Sequence, residues 1–185
     1  MKAIRITETG GPGVMKLVDV DVPGPGPGEV RVRQKAVGVN YIDTYHRSGL
    51  YPVPMPSGIG LEAAGVVEEV GPGVKGLKAG DRIAYGSGPI GAYAEVRNVP
   101  ANRVTKIPKA ISDETAAGMM LKGMTVRYLL RATYKVKRGE TILLHAAAGG
   151  VGQILSQWAK ALGVKVIGTV GSEAKMAAAD RKSVV

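Results

Sequence analysis

The sequence predicts a β-rich domain of many short strands followed by the opening of a doubly wound α/β domain. Three observations carry that reading. Period-two alternation broken by glycine and proline turns runs through residues 2–39 and continues over 58–97, as in Glu29-Val30-Arg31-Val32-Arg33 and Gly65-Val66-Val67-Glu68-Glu69-Val70. At Ser112-Asp113-Glu114 the texture changes, and a capping residue with two acids introduces a long stretch rich in Ala, Met and Leu, the pattern with which helices begin. Thr141-Ile142-Leu143-Leu144-His145-Ala146 then reads as a buried strand, Gly152 to Leu162 as a helix and Val164 to Thr169 as a second strand, a β-α-β unit.

The elements follow in order. Met1-Lys2-Ala3-Ile4-Arg5-Ile6 alternates like a strand and carries neither a signal peptide nor a membrane-spanning run, so a cytoplasmic protein with no membrane partner is the expectation. Pro23-Gly24-Pro25-Gly26-Pro27-Gly28 reads as a loop between two strands; collagen would need glycine at every third position rather than every second. The turns at Gly71-Pro72-Gly73 and Gly80-Asp81, set among further short strands, suggest a barrel. The boundary between the two textures falls between 111 and 124, giving expected domains of 1–115 and 116–185.

Composition narrows the chemistry. The 185 residues are 45% hydrophobic, ample for a globular core. There is no cysteine, which excludes disulfides, thiolate catalysis and cysteine-ligated zinc. Two histidines, His46 and His145, stand far apart, whereas a catalytic zinc needs three protein ligands; no metal is expected. The formal charge of +10 raises nucleic acid as a partner. Its densest group, Arg127, Arg131, Lys135, Lys137 and Arg138, lies in no nucleic-acid motif and reads as a solvated helix face. An anionic cofactor would also draw on this charge.

The segment Ala146-Ala147-Ala148-Gly149-Gly150-Val151-Gly152 lies between the first strand and the helix of the β-α-β unit. Read as a dinucleotide fingerprint it is Ala147-x-Gly149-x-x-Gly152, with alanine in the first glycine position. Gly149 would admit a pyrophosphate close to the backbone, and Gly152 would let helix pack on strand. A plain strand-to-helix turn is the alternative, but strand, turn, helix and second strand come in the order such a site requires. After the second strand the chain reads Thr169-Val170-Gly171-Ser172 with no carboxylate, so nothing there repels a 2'-phosphate. Ser172 and Lys175 suit NADP(H); Glu173 as a ribose-binding acid, which would favour NAD, is the competing reading.

Gly58-Ile59-Gly60-Leu61-Glu62-Ala63-Ala64-Gly65-Val66-Val67-Glu68-Glu69-Val70-Gly71, with Lys78-Ala79-Gly80-Asp81-Arg82, resembles the signature of the zinc-independent quinone oxidoreductase and zeta-crystallin family of the medium-chain dehydrogenase/reductase superfamily. The resemblance spans residues 2 to about 176 and includes Asn40-Tyr41-Ile42-Asp43-Thr44-Tyr45, Lys122-Gly123-Met124-Thr125 and the glycine loop. Zinc-containing relatives carry a histidine ligand before the glutamate, where this chain has Leu61. The resemblance implies a GroES-like β-barrel catalytic domain followed by the start of a Rossmann dinucleotide-binding domain, truncated after about residue 176, where the chain departs toward Asp180-Arg181-Lys182-Ser183-Val184-Val185.

By that resemblance Tyr41, Ile42, Asp43, Thr44, Tyr45 and Tyr128 would line the nicotinamide side, Gly150 and Val151 the pyrophosphate, and Gly171 to Lys175 the adenosine phosphate. Asn40, Tyr45 and Thr125 would face substrate. Asn40 as a helix cap and Tyr45 as a cleft-wall filler are the alternatives. The family's segment returning to the barrel and its dimer-forming edge strand lie beyond this chain, which leaves homodimerisation in doubt. The implied activity is hydride transfer from NADPH to a small-molecule quinone without metal; the alternatives are reduction of an activated alkenal or enoyl double bond, and a non-catalytic nucleotide- or RNA-binding remnant. An open sheet of two parallel strands would leave apolar surface and an unpaired edge exposed.

Overall fold

The computed structural model describes residues 1–180. The end of the departing segment, residues 181–185, lies outside the described residues. The chain separates into two compact units, Met1–Leu121 and Lys122–Val185.

The first unit is built from β1 (Lys2–Ile6), β2 (Lys16–Asp19), β3 (Glu29–Gly38), β4 (Ser57–Gly58), β5 (Glu62–Val70), β6 (Arg82–Tyr85), β7 (Val96–Pro100) and β8 (Thr105–Lys106). They form a three-stranded sheet, β2-β1-β4, and a five-stranded sheet, β7-β3-β5-β6-β8, with antiparallel pairing throughout. The alternation read from the sequence explains β3. Val30 and Val32 are fully buried, while Arg31 and Arg33 face outward and pair with Glu69 and Glu68 of β5. Each such valine contributes about 1.5–3 kcal/mol by leaving water. Their core partners are Ala63, Val67, Ile83, Tyr85, Ala92 and Val99.

The Pro-Gly run between β2 and β3 is anchored as well as irregular. Gly28 N–H donates to Pro72 O at 2.9 Å, and Gly26 N–H donates to the Glu29 carboxylate at 3.0 Å. Helix α1 (Tyr41–Ser48) follows β3. Helix α2 (Asp113–Tyr128) starts where Ser112 Oγ accepts the Thr115 N–H at 3.1 Å. Arg82 of β6 fixes that start, donating through Nε and Nη2 to Asp113 at 3.0 and 2.8 Å. Ala116 and Ala117 of its first turns pack on Ala64 and Ala84. The two compact units divide inside this helix, after Leu121.

In the second unit, α2 runs into a π-helical turn at Leu129–Thr133, and β9 (Thr141–Leu144), α3 (Gly150–Ala161) and β10 (Lys165–Gly168) follow, with α4 (Met176–Asp180) after them. β9 and β10 pair in parallel. On one face of this pair Val166 packs with Val126, Leu130, Val136, Leu155, Ala159 and Val164. Two expectations are corrected here. β9 is half-buried rather than buried, because helices cover only one face; Leu143 is 62% exposed and Ile167 51%. The basic cluster is exposed, but it does not form one helix face, since helical structure ends at Thr133 and Lys135, Lys137 and Arg138 lie in the loop beyond. No described helix is long and apolar enough to cross a membrane.

Candidate functional site

Asn40 sits at the N-cap of α1 with extended backbone, φ −128° and ψ 150°. Three residues on, Asp43 Oδ2 accepts the Asn40 backbone N–H at 2.9 Å and the Tyr93 hydroxyl at 2.8 Å. This is the reciprocal half of a capping box, which satisfies a donor that the helix itself leaves unpaired. The Asn40 side chain also reaches across to β5, its Nδ2 donating to Glu62 Oε2 at 2.7 Å. Asn40 thus occupies the cap position of α1, and its side-chain nitrogen is engaged with a carboxylate.

Asp43 is only 4% exposed, so the structure commits its carboxylate to the cap and to Tyr93. Burial pushes the Tyr93 hydroxyl well above the ordinary tyrosine range, and the hydrogen bond and negative charge of Asp43 push it further. A raised folded-state value means a contribution to stability that is complete below the unfolded value of 10.0 and is lost as pH climbs beyond it. Denaturant titrations across alkaline pH should show this loss flattened in a Tyr93→Phe variant; an identical alkaline slope in both proteins would remove Tyr93 as its source.

The other α1 residues form an aromatic surface. Tyr45 meets Tyr41 edge-on at 5.3 Å and Tyr51 at 5.2 Å. Tyr41 is 76% exposed, and Ile42, Thr44 and Tyr45 are half-buried. Such a surface offers ring faces and a phenol to a flat conjugated ligand. Tyr45 is half-buried between the Tyr41 and Tyr51 rings and partly open to solvent.

Within the second unit, the fingerprint loop is shaped by backbone approach. Ala146 adopts a left-handed φ of 54°, and Gly149 N–H donates to Ala146 O at 2.8 Å. A side chain at Gly152 would come within 2.5 Å of Ala146 O and 2.6 Å of Ala147 O. Gly149 caps α3 without a side chain, and Gly149 and Gly150 are exposed. Val151 is half-buried on the first turn of the helix. The N-terminal N–H groups of this helix suit an anion.

A pocket of about 140 Å³ is lined by Ala146, Ala148, Gly149, Val170, Gly171 and Lys175. The structure thus brings Gly149, Gly171 and Lys175 together, while Ser172 and Glu173 lie outside this lining. Thr125 and Tyr128 stand on α2, half-buried and 51% exposed respectively. Among the described residues no three His, Cys, Asp or Glu side chains gather as a metal site.

Sequence reasoning assigned no role to Glu62 or Tyr93. Glu62 carried a signal, a single acid heading the apolar run Ala63-Ala64-Gly65-Val66-Val67. Tyr93 carried none, because its partner lies fifty residues upstream.

Two antiparallel sheets followed by a strand, a glycine turn, a helix and a parallel strand define the class: a GroES-like domain with part of a Rossmann domain, the arrangement of the medium-chain dehydrogenase/reductases. Residues 26–109 match the alcohol dehydrogenase GroES-like domain. Nearly the whole chain is similar to the amino-terminal portion of quinone oxidoreductases of that superfamily. It is 54% identical to quinone oxidoreductase 1 of Escherichia coli over 173 residues, 93% of this chain and 53% of that protein. It is 49% identical to a 2-haloacrylate reductase of a Burkholderia species over 177 residues, 92% of this chain and 53% of that protein. The crystal structure of Escherichia coli quinone oxidoreductase complexed with NADPH superposes with a TM-score of 0.97 at 52% identity, covering 99% of this chain and 56% of that one. The chain spans about half the length of the curated relatives it matches.

Proposed function

We propose that this chain carries the substrate-side barrel, residues 1–115, and the first nucleotide-binding elements, residues 116–185, of a cytoplasmic NADPH-dependent quinone reductase. The observation that carries the reading is the pocket in which Lys175 joins the Gly149 loop with no carboxylate in its lining. Lys175 and Ser172 would hold the adenosine phosphate, and Gly150, Val151 and the start of α3 the pyrophosphate. Tyr41 to Tyr45 and Tyr128 would lie on the nicotinamide side, and Asn40, Tyr45 and Thr125 would meet the quinone. NADPH supplies the hydride when bound; the residues of this chain bind and orient the reactants. Quinones are electrophilic enough to accept hydride without a Lewis acid.

A second reading, reduction of an activated carbon-carbon double bond, is favoured by the 2-haloacrylate reductase among the relatives. Steady-state NADPH oxidation by the purified chain with a panel of quinones and with 2-haloacrylates separates the two, and no turnover with either removes both. Cofactor choice has its own test. Lys175→Glu should weaken NADPH binding by about tenfold or more and leave NADH binding nearly unchanged. Equal losses for both nucleotides in calorimetric titrations would displace Lys175 from the phosphate.

A further inference from the structure

A pocket of about 230 Å³ in the first unit is lined by residues of both β1 and β7, the outer strand of the five-stranded sheet. None of the residues assigned above to cofactor or substrate borders it. Its charged lining consists of Arg5 on β1, Arg97 on β7 and Asp21 from the loop after β2. Neither arginine forms an ion pair among the described residues.

Two closely packed glycines bring the arginines to one place. Gly58 and Gly91 both border the pocket. A Cβ at Gly58 would lie 2.6 Å from Gly91 Cα and 3.5 Å from Arg5 Nη1. A Cβ at Gly91, whose φ of 124° favours glycine, would lie 3.6 Å from Arg97 Nη1. The two guanidinium groups thus flank the same strip of bare backbone. Arg97 is held there by uncharged neighbours: its Nη2 donates to Pro89 O at 2.8 Å, and its Cζ lies 5.8 Å from the centre of the Tyr85 ring. Its Nη1 is buried without a hydrogen-bond partner.

A buried charged donor without a partner carries its full desolvation cost, and two like charges drawn together repel. An anion between them would relieve both. Guanidinium groups match the oxygens of carboxylate and phosphate in charge and geometry. The volume falls below the roughly 300–1,000 Å³ of pockets that hold drug-sized ligands, which fits a small occupant.

We propose that this pocket binds a small oxyanion, a phosphate or a short carboxylate, between Arg5 and Arg97. Arg97 Nη1 is the fixed donor, and Arg5, which is exposed, adds charge from the rim. Asp21 opposes the ligand and limits its affinity.

Titration of the ¹⁵N-labelled 185-residue chain with sodium phosphate, and separately with sodium acetate, at constant ionic strength tests the site. The amide signals of Gly58 and Gly91 should shift saturably with a roughly millimolar Kd. The signals of Gly149 and Gly150 report separately on phosphate entering the nucleotide loop. Arg5→Gln should weaken binding at Gly58 and Gly91 about fivefold, and Asp21→Asn should strengthen it about twofold. Lys75→Gln removes the same charge at an exposed position outside the pocket, and should leave it unchanged.

Saturation by phosphate alone supports the proposal with phosphates as the ligand class, and saturation by acetate alone supports it with carboxylates. No saturable shift at Gly58 and Gly91 with either anion would overturn it. Equal losses in Arg5→Gln and Lys75→Gln would also overturn it, since they would mean diffuse attraction to a chain of charge +10. Arg97→Gln should abolish saturation; should that variant fail to fold without its contact to Tyr85, Arg5→Gln and Asp21→Asn still decide.

Discussion

Replacing Tyr85 by alanine should destabilise the first unit by about 3–5 kcal/mol, the range for removing a buried aromatic side chain. Tyr85 is 2% exposed and packs among Val30, Val32, Ala63, Val67, Ile83, Ala92 and Val99. It also holds polar partners: its hydroxyl donates to Gln34 Oε1, and the Arg97 guanidinium lies 5.8 Å from its ring centre. Alanine would leave both a cavity and unsatisfied groups. Tyr85→Phe keeps the ring and should cost only about 1–2 kcal/mol.

The phenol also reports on itself. Burial pushes its pKa up to about 12 against the opposing charge of Arg97. The tyrosinate absorbance of the folded protein should therefore include a late-titrating fraction that Tyr85→Phe removes. Denaturant melts of the three proteins decide the matter, and a Tyr85→Ala loss no larger than that of Tyr85→Phe would refute the packing account.

Gly152→Ala should reduce NADPH affinity by about a hundredfold or more, a loss of roughly 3 kcal/mol. The added methyl group would meet Ala146 O and Ala147 O, backbone atoms that cannot swing aside like a side chain. Either the turn opens or α3 moves away from β9, and in both cases the N–H groups offered to the pyrophosphate leave their places. Gly150→Ala provides the contrast: its methyl group would meet only the Lys122 side chain, at 2.9 Å, which can move aside. Fluorescence titration with NADPH should rank wild type and Gly150→Ala well above Gly152→Ala. Equal affinities across the three would show that this loop does not carry the nucleotide.

The two variants also mark what a linear reading can reach. The alternation around Val30 and Val32 placed the inward face of β3 correctly, because an antiparallel sheet with one solvated face imposes that period. The glycine loop was legible because its spacing encodes a backbone approach. The exposure of Leu143 was not, since an apolar run says nothing about how many layers cover it. Nor was the partnership of Asp43 with Tyr93, which depends on closure of the barrel. Lys175 was legible as a charge, but its meeting with Gly149 required the path of the chain after β10. Glu62 stood in the sequence as a lone acid heading an apolar run, and its meeting with Asn40 only the fold supplies.

The first strand has a consequence for how this chain is made. Ile4 N–H donates to Tyr93 O at 2.8 Å, and Lys2 N–H donates to Glu95 Oε2 at 2.8 Å. During synthesis these two N–H groups wait for partners some ninety positions behind them, about 5–20 s at ordinary elongation rates. Over that interval β2 already pairs one edge of β1, while the groups that Tyr93 and Glu95 later take stay open to chaperones or to a second nascent chain. β9 and β10, whose paired residues are 24 apart in sequence, meet almost as soon as they emerge.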